Sequence, residues 1–230
     1  MIIYLYRKLN EEEINMVEKL LLIGRSGVGK STSLRNLDPN TTAILKCVNK
    51  KLPFKKGDTN FKSMYVPTAQ DITSAVAKII TKAPHIKTIV LDDVFYSMAF
   101  ENFRRSSDKG YQKFTDMAKQ MFDIITLPDS LPEEVASKRD ITFIYITHSE
   151  TNPNTMETDV KTIGKMLESQ LGIAGLFTIV LEAIIVDGEY KILTHNINGN
   201  SVVKTPIGMF EDDYIDNDMK YVLEKIKEYY

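Results

Sequence analysis

A glycine-rich loop directly behind a run of leucines restricts the fold of this chain more than any other feature. The stretch LLIGRSGVGKST fits the pattern G-x-x-x-x-G-K-[ST] from Gly24 to Ser31. Residues 19–23 before the loop are typical of a buried strand, and residues 31–37 after it are typical of a helix. Glycines allow successive N–H groups to point inward, and the dipole of the following helix attracts negative charge to the same place. The sequence therefore predicts a strand, loop and helix that bind the phosphates of a nucleoside triphosphate.

The side chains of this loop predict how the triphosphate is held. Lys30 is expected to reach the β- and γ-phosphates, and the Ser31 hydroxyl is expected to bind Mg²⁺. A nucleoside triphosphate and Mg²⁺ are therefore the predicted cofactors. We expect the phosphates to be surrounded by one continuous stretch of residues: Gly24, Arg25, Ser26, Gly27, Val28, Gly29, Lys30, Ser31 and Thr32.

A pair of aspartates marks the end of a second apolar strand. Residues 88–91 read Thr-Ile-Val-Leu, and Asp92 and Asp93 follow them. An aspartate at the carboxyl end of a buried strand can hold a water of the Mg²⁺ shell, and we assign this role to Asp92. Asp93 is the candidate to orient or deprotonate the attacking water. Its alternative role is to cap the helix that follows.

A third apolar strand ends in polar residues that are candidates to detect the γ-phosphate. Residues 141–146 are followed by Thr147, His148, Ser149 and Glu150. Open α/β sheets bind ligands at the carboxyl ends of their strands, so we expect this end to lie beside that of the Asp92 strand. His148 is the predicted γ-phosphate sensor, and Thr147 is the second choice. Three histidines and one cysteine without ligand spacing argue against a zinc site.

Apolar runs bounded by turn residues recur at the spacing expected for strands that alternate with helices. Residues 42–47 and 62–66 predict strands, whereas the periodicity of residues 71–82 and 113–126 predicts helices that pack on a sheet. The predicted fold class is therefore α/β, with a mostly parallel sheet flanked by helices.

The last third of the chain has a different pattern. Residues 177–186, 190–197 and 201–204, separated by Asp-Gly and Asn-Gly turns, predict an antiparallel extension of the sheet. We find no internal repeat or linker, so residues 16–230 are predicted to form a single domain. Asn217 is the predicted N-cap of a final helix. The inward positions of that helix are expected to be Met219, Val222, Leu223, Ile226 and Tyr230.

The composition excludes several classes of protein. With 230 residues and a formal net charge of −2, the chain is long enough for one sizeable core and has no overall attraction to nucleic acid. The single cysteine, Cys47, cannot form an internal disulfide, so the cytoplasm is the expected location. No apolar run approaches the roughly 18 residues that a membrane span needs, so we expect no membrane association.

Residues 1–15 have two interpretations. The glutamates of EEEINM are compatible with a purine-rich coding stretch that resembles a bacterial ribosome-binding site. This favours Met16 as the natural start and residues 1–15 as an upstream extension. Alternatively, these residues form a short N-terminal strand and turn.

Five segments together resemble the ATP-binding proteins of bacteriophages with a RecA-like core. They are LLIGRSGVGKSTSLRNL, IVLDD, KGYQKFTDMAKQMFDII, YITHSE and TIGKMLESQLGIAGLFTIVL, and the resemblance covers roughly residues 17–215. Some members of that group are implicated in phage recombination as single-strand annealing ATPases. The resemblance implies a RecA-type sheet, ATP as the nucleotide, single-stranded DNA as the partner and assembly into a homo-oligomer. If the chain is phage-encoded, its location is the cytoplasm of the bacterial host.

The resemblance also implies roles for two later segments. Residues 149–162 lie where RecA-like proteins place a mobile DNA-binding loop, and their composition predicts an irregular conformation. The alternative is an ordinary surface loop. The stretch SVVKTPIGMF resembles the one by which RecA-like subunits present lysines to the ATP of a neighbour. Lys204 is therefore a candidate catalytic charge acting on the γ-phosphate in trans, and the alternative is a surface lysine.

One departure from the RecA pattern concerns the general base. RecA has a catalytic glutamate at the end of the strand after the phosphate-loop helix, whereas here that strand ends in LKCVNKK, without an acid. Asp93 or Glu150 must therefore substitute, or hydrolysis is slow.

Two basic segments are candidates for contact with nucleic acid. The stretch KCVNKKLPFKK carries five lysines and no acid, with Phe54 available for base stacking. A solvated surface is the alternative for both segments. The predicted contact residues are Lys50, Lys51, Lys55 and Lys56 in the first segment and Arg104 and Arg105 in the second.

These features favour a phage-type RecA-like ATPase that binds Mg·ATP and acts on single-stranded DNA in recombination or replication. A recombination or replication protein is a further expected partner. A small-molecule kinase for a nucleoside or nucleotide is the alternative on the same core. Kinases of that type usually carry an arginine-rich lid, and the sole adjacent arginines here are Arg104 and Arg105. A nucleotide-gated regulatory module with little hydrolysis is a third alternative, which the missing glutamate supports.

Overall fold

The computed structural model describes residues 17–132, 135, 139–162 and 172–230. The interpretations of residues 1–15 lie outside these ranges. The described residues form ten strands: β1 (Glu18–Ile23), β2 (Thr42–Lys46), β3 (Lys62–Tyr65), β4 (Thr88–Asp92), β5 (Thr142–Ile146), β6 (Ser149–Thr151), β7 (Thr158–Val160), β8 (Ile179–Val186), β9 (Glu189–Leu193) and β10 (Tyr214–Asp216). They also form five α-helices: α1 (Gly57–Asn60), α2 (Ala69–Lys82), α3 (Tyr96–Arg104), α4 (Gln112–Ile125) and α5 (Met219–Tyr229). Shorter 3₁₀ helices span Ser31–Asn36, Pro128–Ser130 and Ile173–Leu176.

Eight of the strands form one mixed sheet in the order β10-β9-β8-β1-β5-β4-β2-β3. Each adjacent pair from β8 to β3 is parallel, whereas β9 and β10 add antiparallel strands beyond β8. This confirms the predicted architecture, a mostly parallel sheet with a C-terminal antiparallel extension. None of the helices in the described residues is long and apolar enough to span a membrane.

The sheet is covered on both faces because side chains of a strand alternate in direction. In β1, Leu21 and Ile23 pack in a cluster with apolar residues of α2, α3 and α4. Leu20 and Leu22 pack on the other face, with Leu34 of the first 3₁₀ helix and with apolar residues of α5. The continuous run of leucines is therefore explained by burial on both faces.

The strand order brings three predicted motifs to one edge of the sheet. β5 lies between β1 and β4 and is parallel to both, so the carboxyl ends of these three strands lie side by side. The glycine-rich loop follows β1, Asp92 ends β4 and Thr147 follows β5. We call this place the carboxyl edge, and it is where open parallel sheets bind ligands.

The predicted helix after the phosphate loop is present, but in the 3₁₀ form. The backbone N–H of Ser33 donates to the carbonyls of both Gly29 and Lys30, at 3.0 and 3.2 Å. The Ser33 hydroxyl donates to the same Lys30 carbonyl at 2.6 Å. This side-chain bond competes with α-helical pairing and accompanies the tighter turn.

The predicted third strand of the antiparallel extension, residues 201–204, is wrong. The third strand is β10, and Ser201 and Lys204 make only isolated bridges, to Thr158 and Val180. The reason is the register of β9, which pairs with β8 only from Glu182 to its end. The edge of β8 at Val180 is left accessible, and Lys204 pairs with it there through two backbone hydrogen bonds of 2.8 and 2.9 Å.

Two further predictions need correction at the final helix. Asp218, not Asn217, caps α5, because its carboxylate accepts a hydrogen bond from the backbone N–H of Lys220. Tyr230, predicted to point inward, is 63% exposed at the end of the helix. The other inward positions are buried or partly buried: Met219, Val222, Leu223 and Ile226.

The predicted irregular loop at residues 149–162 is also wrong, because it contains a hairpin. β6 and β7 pair antiparallel, with Ser149 opposite Val160 and Thr151 opposite Thr158. The Thr151 and Thr158 hydroxyls hydrogen-bond across the pair at 3.0 Å. We call this unit the hairpin. Threonine favours strands when it has a cross-strand partner, which a count of Asn and Thr residues does not reveal.

Candidate nucleotide-binding site

The conformation of the loop after β1 requires glycine at two positions. Gly24 has φ +152°, and a Cβ atom there would lie 2.6 Å from the Ala183 carbonyl oxygen of β8. Gly29 has φ +90°, and its Cβ would lie 2.7 Å from Nδ2 of Asn217. The loop therefore packs tightly on β8 at its start and on Asn217, two residues before α5, at its end.

Lys30 is buried and bonds back across the loop. It is 6% exposed, and its Nζ donates to the carbonyl oxygens of Gly24 and Arg25, both at 2.8 Å. Burial lowers the pKa of Lys30 to about 8, although the nearby charge of Asp93 acts in the opposite direction. A buried ammonium held by two carbonyls is well placed to exchange these partners for phosphate oxygens, which bind it more strongly.

Ser31 and Asp92 are in direct contact at the carboxyl edge. The Ser31 hydroxyl lies 2.9 and 3.1 Å from the two carboxylate oxygens of Asp92, which is 1% exposed. Burial, and next the charge of Asp93, raise the pKa of Asp92 to about 6. A hydroxyl and a carboxylate in contact are the oxygen ligands that Mg²⁺ prefers, so the residues present fit the predicted metal.

Asp93 is buried in a left-handed conformation and is held by Lys50 and His148. Its φ is +57°, which non-glycine residues rarely adopt outside turns and functional sites. Its carboxylate forms an ion pair with Nζ of Lys50, and the other oxygen lies 3.5 Å from Nε2 of His148. Burial alone would raise the pKa of Asp93, but the hydrogen bonds and charges of His148 and Lys50 outweigh it and the pKa is lowered.

His148 connects this carboxylate to the hairpin. Its ring meets the ring of Tyr96 edge to face, with 5.7 Å between the centroids. Its carbonyl accepts a hydrogen bond from the backbone N–H of Lys161 at 2.8 Å. His148 therefore contacts both Asp93 and the base of the hairpin. Thr147, the second choice as sensor, is 1% exposed and its N–H donates to the Leu22 carbonyl of β1.

The structure brings two residues to the site that sequence reasoning placed elsewhere. Lys50 was predicted to face nucleic acid, but its ammonium lies on Asp93. Asn217 was predicted to cap α5, but its Nδ2 donates to the Gly29 carbonyl at 3.0 Å. The backbone carbonyl of Asn217 accepts a hydrogen bond from the Arg35 guanidinium at 2.5 Å. The signal for Lys50 was its position after a strand next to β4, whereas nothing local pointed to Asn217.

The remaining residues predicted to contact nucleic acid differ in their partners. Lys51, Lys55 and Lys56 are exposed, and we call them the lysine surface. Phe54, expected to stack on bases, packs edge to face on Phe61 with 5.8 Å between the centroids.

The predicted arginine pair is engaged with acids. Arg104 pairs with Glu101 at 3.1 Å, and Arg105 pairs with Asp108 and Asp116 at 2.7 and 2.9 Å. Both side chains are thus partly neutralised where they lie.

Lys204, the candidate charge acting in trans, and Glu150, the alternative general base, are both exposed. Lys204 is fixed through its backbone beside β8, with its side chain at the surface. Glu150, the alternative base, is exposed on β6. It lines a cavity of about 780 Å³ between the phosphate loop and the hairpin. Other residues that line this cavity are Arg25, Ser26, Tyr96, His148, Met156 and Lys161.

The sequence of this chain matches a family model, and its structure superimposes on a solved structure. The model of an AAA domain family matches residues 17–205, which include the phosphate loop, both aspartates and His148. No curated protein sequence matches the chain. The crystal structure of the RadB recombinase superimposes with a TM-score of 0.45 and 11% sequence identity, over 76% of this chain and 79% of that chain.

Proposed function

Because the chain belongs to this AAA domain family, we propose that it is a Mg·ATP-dependent, phage-type RecA-like ATPase that acts on single-stranded DNA in recombination or replication. The observation that carries the proposal is the convergence at the carboxyl edge. A buried lysine, a serine in contact with a buried aspartate and a second buried aspartate meet beside the glycine-rich loop. This is the set of groups that phosphoryl transfer to water requires.

The proposed reaction is in-line attack of water on the γ-phosphorus. The new P–O bond forms as the bond to the β-phosphate oxygen breaks, and the electron pair of that bond leaves with ADP. Lys30 exchanges its carbonyl partners for phosphate oxygens and offsets the negative charge that develops there. Asp93 orients the water and receives its proton. Ser31 and, through water, Asp92 would hold Mg²⁺, which supplies further positive charge to the phosphates when it is bound.

His148 is the proposed γ-phosphate sensor. It lies against Asp93 on one side, and its backbone holds the base of the hairpin on the other. The hairpin is the proposed element that responds to DNA, because it lines the same cavity as the phosphate loop. The lysine surface is proposed to bind the DNA backbone through charge.

The proposed active form is a homo-oligomer. Lys204 is exposed at the edge of β8, so its ammonium is accessible to another subunit. In trans it would add a positive charge to the γ-phosphate of the neighbour, as an arginine finger does.

The test is phosphate release by the purified chain with and without single-stranded DNA, at low and at moderate salt. We expect DNA to stimulate release and salt to weaken the stimulation, since backbone contacts are salt-dependent. Lys30→Ala should lower the rate by about 10²–10³-fold, the usual cost of removing one charge-stabilising group. Lys78→Ala, which removes an exposed lysine of α2, is the matched control and should behave as wild type.

A regulatory module with little hydrolysis is the second candidate, and one observation favours it. Lys50 and His148 lower the pKa of Asp93 against the effect of its burial, so the Asp93 carboxylate is a weak base in this arrangement. Tight ATP binding without DNA-stimulated release would support this candidate and contradict the ATPase proposal. Transfer of phosphate to a nucleoside or nucleotide would instead identify a kinase.

A further inference from the structure

Lys50 is held in place by a second lysine. The loop after β2 continues the pairing with β4, since the Cys47 N–H donates to the Asp92 carbonyl at 3.0 Å. Lys46, which is 8% exposed, donates from Nζ to the Lys50 carbonyl at 3.0 Å and to the Asp58 carboxylate at 2.8 Å. Asp58 also accepts from the Leu52 N–H at 3.1 Å. The backbone of Lys50 is therefore fixed on both sides.

The two partners in the Lys50–Asp93 ion pair differ in exposure. The Asp93 side chain is 3% exposed, whereas that of Lys50 is 47% exposed. Water can solvate the lysine when it moves, but it cannot solvate the aspartate where it lies. A buried charge that loses its partner is costly, so Lys50 stays on Asp93 until another interaction compensates for the loss.

Lys50 lies beside the residues proposed to hold the metal. Its ammonium pairs with Asp93, and the preceding Asp92 accepts a hydrogen bond from the Ser31 hydroxyl of the phosphate loop at 2.9 Å. The Asp93 carboxylate that Lys50 holds is also the one proposed to orient the attacking water at the γ-phosphate. A terminal phosphate carries nearly two negative charges and three acceptor oxygens, so it attracts an ammonium more strongly than one carboxylate does.

We infer that Lys50 is a γ-phosphate-sensing residue that moves from the Asp93 carboxylate to a γ-phosphate oxygen when a nucleoside triphosphate binds. The inference rests on the proposed function, because it needs a triphosphate in the loop. It deepens that function by adding a second group, beside His148, that distinguishes ATP from ADP. With ADP, Lys50 remains on Asp93 and the aspartate is neutralised. With ATP, Asp93 keeps only His148 and becomes available to the attacking water.

A lysine follows β2 at the carboxyl edge. Lys50 is the fourth residue after this strand, and its ammonium lies on Asp93. A cation at this place cannot deprotonate water, but it can report the charge of the nucleotide. This accounts for the pairing of a buried aspartate, Asp93, with a half-exposed lysine.

The test is calorimetric binding of Mg·ADP and of the non-hydrolysable ATP analogue AMP-PNP to the full chain. Lys50→Ala should weaken AMP-PNP binding by about 10–100-fold, the range for loss of one charged hydrogen bond, and change ADP binding by less than about twofold. Lys50→Arg should restore most of the AMP-PNP affinity, because guanidinium also binds phosphate. Lys78→Ala is the control for loss of an exposed lysine. Circular dichroism checks the fold of each variant: Lys50→Arg should stay folded because its guanidinium can also pair with Asp93, and Lys50→Ala leaves Asp93 with His148.

The outcomes separate this inference from the function on which it rests. If the wild type binds neither nucleotide, the proposed function fails and the inference fails with it. If the wild type binds both and Lys50→Ala changes neither affinity, or weakens both equally, the sensing role is overturned while the proposed function stands. A selective loss of AMP-PNP affinity that Lys50→Arg rescues supports it.

Discussion

The carboxyl edge and the lysine surface hold their charges in opposite ways. At the edge, Lys30, Asp92 and Asp93 are between 1% and 6% exposed, and each bonds to a specific group. On the lysine surface the ammonium groups are exposed to water. A buried charge must be compensated by bonds of defined geometry, whereas a hydrated charge needs none. The edge can therefore be assigned a chemistry from its contacts, and the lysine surface only an attraction for anions.

Asp93→Asn should give the largest effect and tests whether the buried aspartate does chemistry. The amide keeps the size of the side chain but cannot accept a proton, so ATP hydrolysis should fall by about 10²–10⁴-fold. Binding of ATP should remain within a few-fold of wild type, since the amide carries no charge to repel phosphate. Single-turnover hydrolysis measured beside equilibrium binding checks both expectations. A rate near wild type would show that Asp93 only shapes the turn.

Gly29→Ala tests whether the edge depends on its backbone. The added Cβ would lie 2.7 Å from Nδ2 of Asn217 at φ +90°, so the loop must move away from α5. We expect a loss of about 1–3 kcal/mol in the free energy of unfolding and weaker ATP binding. Gly199→Ala is a matched control with φ +70° and no atom within 4 Å of the added Cβ. Equal losses in the two variants would attribute the effect to φ alone and not to packing against Asn217.

Replacement of the lysine surface by alanine tests the other half of the comparison. If Lys51, Lys55 and Lys56 each contact a phosphate, the slope of log affinity for single-stranded DNA against log salt should fall by about 2 in the triple variant. Fluorescence anisotropy at several salt concentrations measures this slope. An unchanged slope would remove the lysine surface from the DNA interface.

Glu182→Gln should give the smallest effect and tests how burial near the edge affects a carboxyl group. Burial raises the pKa of Glu182, and the hydrogen bond from the Ser201 hydroxyl at 3.3 Å only partly opposes this. A raised pKa means that this group's contribution to stability is present below pH 4.5 and is lost as the pH rises through the higher value in the folded protein. The amide should therefore gain stability relative to wild type at pH 7 but not at pH 4, by less than about 1 kcal/mol. Urea unfolding at both pH values would contradict this if the difference were independent of pH.

The sequence was informative where a function depends on residues that are close together in the chain. The phosphate loop, the strand that ends at Asp92 and the strand before Thr147 were located from local patterns, because a buried strand needs a continuous apolar run. The alternation of these strands with helices was also sufficient to predict the parallel sheet.

Contacts between distant residues were not predictable in the same way. Asn217 bonds to a residue 188 positions away, and Lys50 to one 43 positions away. Both are polar residues in loops, where composition favours a cap or a solvated charge. Only the three-dimensional fold shows that the loop after β2 and Asn217, two residues before α5, reach the carboxyl edge. The hairpin was missed because its stability comes from cross-strand pairs and not from a period of apolar residues.

A structure of the chain with Mg²⁺ and AMP-PNP would show directly whether the carboxyl edge is the ATPase site. We expect the triphosphate in the loop from Gly24 to Thr32, with Lys30 on its phosphate oxygens and the metal beside Ser31 and Asp92. We also expect Lys50 on the γ-phosphate and away from Asp93. A nucleotide bound elsewhere, or a metal that avoids both Ser31 and Asp92, would contradict the assignment of the carboxyl edge as the ATPase site.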